Sequence, residues 1–138
     1  MGYDTLKAGI VEILEKIGYA PSDQAFDFTD ASAFEYGNTF ILKALAGEMG
    51  DDSETLATRF YDNENWQVSM AIKKSSQSDI INLDELHRKR EEIIKKLDDP
   101  DSWSSFARII KYQSWEIEDQ ESYFLLNIEL LVVDTIIY

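Results

Sequence analysis

The sequence predicts an α+β fold, with a mixed, mainly antiparallel sheet of about four to five strands and two main helices packed on one face. Two segments carry apolar residues at three- and four-residue steps, which is typical of amphipathic helices. Several others alternate apolar and polar residues, which is typical of strands with one buried face. The 138 residues are enough for one ordinary domain and too few for two, so residues 1–138 are predicted to form a single domain.

The first predicted element is a helix over residues 3–18. Asp4 can cap its start, and Gly18 followed by Pro21 favours its end. One side of this helix is apolar at helical spacing and is expected to face the core: Tyr3, Leu6, Ile10, Ile13, Leu14 and Ile17.

Three strands are predicted in the middle of the chain, near residues 39–46, 55–61 and 66–74. A polar loop over residues 47–54 separates the first two, and a turn at 62–65 separates the second from the third. The third strand has the clearest alternation, with four apolar residues on the side expected to face the core: Trp66, Val68, Met70 and Ile72.

A second helix is predicted over residues 83–97. Asn82 and Glu85 are the expected capping pair at its start, and Asp98-Asp99-Pro100 ends it because proline cannot continue a helix. Its buried stripe is predicted to be Leu83, Leu86, Arg90, Ile93, Ile94 and Leu97.

Two long strands, near residues 107–117 and 123–134, are predicted to form a terminal hairpin with its tip at 118–122. Simple alternation places six residues of the first of these strands on one face: Ala107, Ile109, Lys111, Gln113, Trp115 and Ile117.

The last strand is apolar on both sides. Its even-numbered residues from Phe124 to Val132 form one apolar face, and Leu125, Leu131 and Val133 add apolar surface to the other. Both faces are therefore expected to be covered, one by helices and the other by something else. Across the chain, the residues expected to be largely buried are Leu83, Ile93, Ile94, Leu97, Trp66, Val68, Ile109, Leu126, Ile128 and Leu130.

The chain is strongly acidic, with 27 acidic and 13 basic residues and a formal net charge of −14. Affinity for nucleic acid comes from clustered Lys and Arg, so this chain is expected to repel DNA on average. Such a surface suits a basic protein partner, DNA mimicry or a wall to which DNA must not adhere. It also keeps a protein soluble without any further role.

The sequence predicts no catalytic site, no cofactor and no metal site. His87 is the only histidine and there is no cysteine, so a multi-histidine or thiolate metal site cannot be built, and His87 is expected at the surface or its boundary. The six glycines form neither a dinucleotide fingerprint nor a phosphate-binding loop. Asp62–Gln67 starts with oxygen ligands at alternate positions but lacks the glycine and the distant glutamate of a calcium loop.

The three tryptophans divide by their sequence context. Trp66 continues an alternating apolar face and is predicted to lie in the core. Trp115 also continues such a face, which leaves core and interface roles open. Trp103 follows a polar connection and is the better candidate for an exposed contact with a partner.

Neither terminus predicts export or membrane insertion. Met1-Gly2-Tyr3-Asp4 lacks the basic flank and apolar stretch of a signal peptide. The most apolar run, Phe124–Tyr138, contains Asn127, Glu129 and Asp134 and is too short to span a bilayer. Synthesis of a soluble protein in the cytoplasm is therefore expected.

The order of elements resembles the tail-terminator and tail-completion proteins of long-tailed bacteriophages, over nearly the whole chain. The similarity begins with the short opening helix, Tyr3–Gly18. It continues with the Trp66–Lys74 strand, which runs through a Ser/Gln linker into the 83–97 helix. That helix closes with Leu97-Asp98-Asp99-Pro100 ahead of a tryptophan, and the hairpin of Arg108–Glu116 and Tyr123–Val133 ends the chain.

The resemblance implies a virion structural protein of the tail neck, with no active site. It implies a ring, a hexamer, that sits on the tail tube, stops tube polymerisation and provides the docking surface for the head connector. DNA would pass through the ring without specific binding, so the implied partners are other copies of the chain, the tail tube protein and the connector. The candidate interface and lumen residues are Asp51, Asp52, Glu54, Trp103, Glu118, Asp119 and Glu121.

A different class of function suits the same size and charge. A small acidic domain without cysteines can act as an immunity or inhibitor protein, which neutralises a basic nuclease by presenting carboxylates where phosphates would bind. The two long terminal strands fit this alternative less well, because little of their surface alternates between polar and apolar residues.

Overall fold

The structure is a computed structural model that describes residues 3–21, 39–49, 59–74, 78–102, 109–121 and 123–137. These residues form two α-helices, α1 (Tyr3–Glu15) and α2 (Asp79–Leu97), and a 3-10 turn at Pro100–Ser102. They also form the strands β1 (Ala20–Pro21), β2 (Thr39–Met49), β3 (Arg59–Lys73), β4 (Ile109–Asp119) and β5 (Tyr123–Ile137). The predicted α+β class is confirmed.

The five described strands form one mixed sheet in the order β1-β2-β3-β5-β4. Only β1 and β2 pair in parallel, and the remaining pairs are antiparallel. β3 and β5 pair along their whole lengths, from Arg59↔Ile137 to Lys73↔Tyr123. At 15 residues each, these two strands make a central ribbon about 50 Å long.

The turn predicted at residues 62–65 is wrong, because this segment lies inside the continuous strand β3. Asn63 pairs with Glu48 of β2 on one side and with Val133 of β5 on the other. Asp and Asn favour turns in isolation, but here pairing with strands on both sides satisfies the backbone hydrogen bonds. The first part of the loop predicted at 47–54 is wrong too, since Gly47–Met49 belong to β2, and residues 50–54 lie outside the described residues.

The alternation predicted for the strand near residues 107–117 is wrong as well, because this strand, β4, contains a bulge. Its register against β5 shifts between Tyr112 and Ser114, so Gln113 is an extra residue. The extra residue reverses the alternation. Tyr112 therefore shares a face with Trp115 and Ile117, while Lys111 shares the opposite face with Glu116.

Both helices pack on one face of the sheet, as predicted, and the other face is called the second face below. The main buried core joins residues of α1, α2 and strands β2 to β5: Leu6, Ile10, Leu14, Phe40, Leu42, Trp66, Val68, Met70, Leu86, Ile93, Leu97, Ile110, Phe124, Leu126, Ile128, Leu130 and Val132.

Most of the residues predicted to be buried are in this core. Leu83 and Ile94 are half-buried and pack against its margin. The side chain of Ile109 lies outside the described residues, and the neighbouring Ile110 is buried. Trp66 is fully buried, and its indole N–H donates to Glu64 Oε1 at 3.2 Å, which satisfies its polar atom and confirms a core role.

The ends of the helices are set by residues different from some of those predicted. α1 ends at Glu15 and a turn follows to Gly18, whose φ of 97° is readily adopted only by glycine. α2 begins one turn earlier than predicted, with Ser78 as its N-cap accepting from Ile81 N at 3.3 Å. Asn82 is therefore not a cap but lies inside the helix. Neither described helix is long and apolar enough to cross a membrane.

Candidate interaction surfaces

The acidic hairpin between β4 and β5 is tighter than predicted. Gln120 N donates to Tyr123 O at 3.0 Å, which closes the turn directly after β4. Glu118 and Asp119 therefore lie in β4 and not in a projecting loop, and only Glu121 of the three predicted acidic residues belongs to the turn. The tip that could project from the body is correspondingly smaller.

Lys74, at the end of β3, binds this hairpin. Its ammonium forms an ion pair with Asp119 Oδ1 and lies 4.6 Å from the centroid of the Phe124 ring. The Lys74 side chain is 22% exposed and that of Asp119 is 70% exposed. The negative charge of Asp119 is thus partly neutralised within the chain, whereas Glu121 is exposed at the turn.

Trp115 forms a second surface feature where α2 meets β4. The Arg90 guanidinium stacks 4.4 Å from the Trp115 ring centroid, and the His87 ring meets it edge-on at 5.3 Å. Arg90 Nε also donates to His87 Nδ1 at 3.3 Å, which holds the two helix residues together. Trp115 remains 39% exposed, so it is a boundary residue and not a core residue.

The sequence contained part of the signal for this cluster. His87 and Arg90 are three residues apart and so lie on one side of a helix. Their contact with Trp115 could not be predicted, because the bulge at Gln113 decides which face of β4 the tryptophan occupies. The expectation that His87 lies at the surface boundary is confirmed, since it is half-buried.

The second face of the sheet has a polar centre. One cross-strand row runs Lys43, Gln67, Glu129 and Ser114 from β2 to β4, and the next row runs Ile41, Ser69, Asn127 and Glu116. Ser69 is buried, and its hydroxyl donates to Asn127 Oδ1 at 2.6 Å. The basic residue of these rows is on β2, while the carboxylates are on β5 and β4.

Apolar residues flank this polar centre on the second face. At one end Ile41, Ala71 and Tyr123 form a small buried cluster against which Leu125 packs. At the other end Leu131 and Val133 are half-buried. The expectation that β5 carries apolar surface on both sides is confirmed, and the described helices pack against only one of them.

Tyr19 connects the end of α1 to α2. Burial raises the pKa of its phenol, and the nearby Glu92 carboxylate raises it further through its charge and a hydrogen bond. The Lys89 ammonium lies 5.6 Å from the Tyr19 ring centroid. Burial and Glu92 therefore favour the neutral phenol at the junction of the helices.

Four of the candidate residues, Asp51, Asp52, Glu54 and Trp103, lie outside the described residues. Among the residues that the structure describes, no group of three or more His, Cys, Asp or Glu side chains is arranged to hold a metal ion. No protein-family model matches the chain, and no curated protein matches its sequence.

Proposed function

We propose that the chain is a structural virion protein, a tail-terminator subunit of a long-tailed bacteriophage. Six copies form a ring that caps the tail tube, stops its polymerisation and offers the head connector a docking surface. DNA passes through the centre of the ring without specific binding. In this proposal the protein is made in the host cytoplasm and resides in the neck of the virion.

The second face of the sheet is the observation that carries the proposal. Leu125, Leu131 and Val133 give it apolar surface, while Lys43 on β2 and both Lys111 and Glu116 on β4 add charges of both signs. A subunit that buries area against neighbours needs such a surface in addition to its own core. The order of helices and long terminal strands, which resembles the tail-terminator proteins, supports the same assignment.

The net charge of −14 supports the passage of DNA through the ring. Charge repulsion extends only about 10 Å at 0.1 M salt, so carboxylates must lie close to the duplex to prevent adhesion. Among the described candidates Glu121 suits this role best, because it is exposed at a turn. Asp119 suits it less well, because Lys74 already pairs with it.

Tail tube protein encoded by the same genome provides the test. It would be polymerised with and without this chain, and the products imaged by negative-stain electron microscopy. The expected result is short tubes of uniform length, each with a ring of six copies at one end. Unchanged tube length with no ring would refute the proposal, and a one-to-one complex with a basic nuclease would favour an inhibitor instead.

Variants of the second face sharpen this experiment. Leu131→Asp places a charge on the half-buried apolar end of that face and should weaken capping. Lys95→Asp changes charge on the exposed side of α2 and should leave capping intact. Circular dichroism of both variants would separate a lost contact from a lost fold. Equal capping by both variants would mean that the second face is not the ring contact.

A further inference from the structure

β4 is the outer strand of the described sheet and pairs only with β5 there. Within the part of the chain that the structure describes, its other edge therefore presents backbone N–H and C=O groups that another strand can pair with. Natural sheets often protect such an edge with a bulge and a lysine, and β4 has both in Gln113 and Lys111. The bulge here has a second consequence.

The bulge places oppositely charged residues on the same face of β4. Lys111 pairs with Leu131 and Glu116 pairs with Asn127, two residues of β5 that are four apart and so share a face. In a regular strand Lys111 and Glu116, five residues apart, would lie on opposite faces. Tyr112 and Trp115 are likewise brought together on the core side.

The side chains along the β4 edge of one copy are complementary to those along the same edge of a second, antiparallel copy. In an antiparallel pair of β4 edges centred between Gln113 and Ser114, Lys111 of each copy lies opposite Glu116 of the other. The same register sets Tyr112 opposite Trp115. Lys111, Glu116 and Trp115 are all exposed in the single chain, so none of them must be uncovered first. Opposite charges and aromatic pairs in directly facing positions both stabilise paired strands.

From this geometry we infer that two copies of the chain pair through their β4 edges, about a two-fold axis normal to the sheet. Trp115 should lose little side-chain entropy on forming the contact, because its ring already packs against Arg90 and His87 in the single chain. The contact is small, since an edge pair buries less than the roughly 1,200 Å² at which standard interfaces begin, and it is therefore weak. It occupies neither face of the sheet and does not depend on the proposed function.

Sedimentation velocity on the purified chain tests the inference, over roughly 5–200 µM, a range suited to a contact of this size. Lys111→Glu and Glu116→Lys each set like charges opposite one another twice, and each should weaken dimerisation by about tenfold or more. The double variant carrying both changes restores opposite charges and should dimerise nearly as well as the original chain. Lys95→Glu, on the exposed side of α2, is the control and should have no effect.

Two outcomes would overturn the inference. The original chain could remain monomeric throughout, in which case the bulge and the lysine keep copies apart. Alternatively it could dimerise while the double variant stays as weak as the single ones, which would place the contact elsewhere.

A cross-linking experiment keeps the test independent of the charges. The chain has no cysteine, so Ser114→Cys introduces a single thiol close to the two-fold axis. Mild oxidation should give a covalent dimer that retains the circular dichroism of the folded chain. Lys95→Cys should give far less dimer under the same conditions, and equal yields from both variants would contradict the proposed edge contact.

Discussion

The two faces of β5 differ in how deeply their side chains are buried in the described structure. On the core side, Ile128 and Leu130 are fully buried beneath the two helices. On the second face, Leu131 and Val133 are only half-buried, although their side chains are as apolar. The two sides of β5 are therefore similarly apolar, and the packing of the described helices decides which side is fully buried.

The largest effect is expected from shortening a side chain on the core side. Ile128→Ala should lower the free energy of unfolding by about 2–5 kcal/mol, because it leaves a cavity among fully buried neighbours. Leu131→Ala on the second face should lower it by about 1 kcal/mol or less, since its site is already partly open. Urea denaturation measures the free energy of unfolding of both variants. Equal decreases would contradict the inference that the two faces of β5 differ in their contribution to stability.

This contrast also separates what the sequence could predict from what it could not. The core stripes of α2 and β3 follow from local periodicity, so Ile93, Leu97 and Val68 were predicted correctly. The continuity of β3 through Asn63 and the bulge at Gln113 depend on neighbouring strands, which local patterns do not contain. The Trp115 cluster was missed for the same reason.

A polar residue on the core side provides the next prediction. Asn82 is 2% exposed, and its Nδ2 has no hydrogen-bond partner among the residues that the structure describes. Asn82→Leu keeps the branched arrangement of side-chain heavy atoms and removes the unsatisfied amide, so it should raise the free energy of unfolding by about 1 kcal/mol. Thermal denaturation would give a higher midpoint. Asn65→Leu, at an exposed position, is the control. A lower midpoint for Asn82→Leu than for the original chain would mean that the Asn82 amide has a hydrogen-bond partner in solution.

A smaller loss is expected at the polar centre of the second face. Ser69→Ala removes the hydroxyl that donates to Asn127 Oδ1 across β3 and β5. The free energy of unfolding should fall by about 1 kcal/mol, the usual contribution of one hydrogen bond. Ser114→Ala, at an exposed position of the same face, serves as the control in the same urea titration. Equal free energies of unfolding for the two variants would show that the Ser69–Asn127 hydrogen bond does not contribute to stability.

The smallest effect concerns pH. Burial and Glu92 raise the pKa of Tyr19 above its ordinary value of 10.0 in the folded chain. The unfolded chain therefore loses this proton first as pH rises, so the stabilisation is complete below pH 10 and decreases above it. Tyr19→Phe should flatten the fall in stability between about pH 9 and 11, measured by urea midpoints. An unchanged slope would mean that the phenol is not protected by folding.

The proposed ring is the central claim, and a reconstruction of the virion neck tests it most directly. If the proposal holds, a long-tailed phage encodes this chain, and its virions would be imaged by electron cryomicroscopy, with the chain identified from its side chains. The proposal predicts six copies in one ring between the tail tube and the head connector, with the second face of each subunit buried against a neighbour. A neck without this chain, or the chain at any other place in the particle, would contradict it.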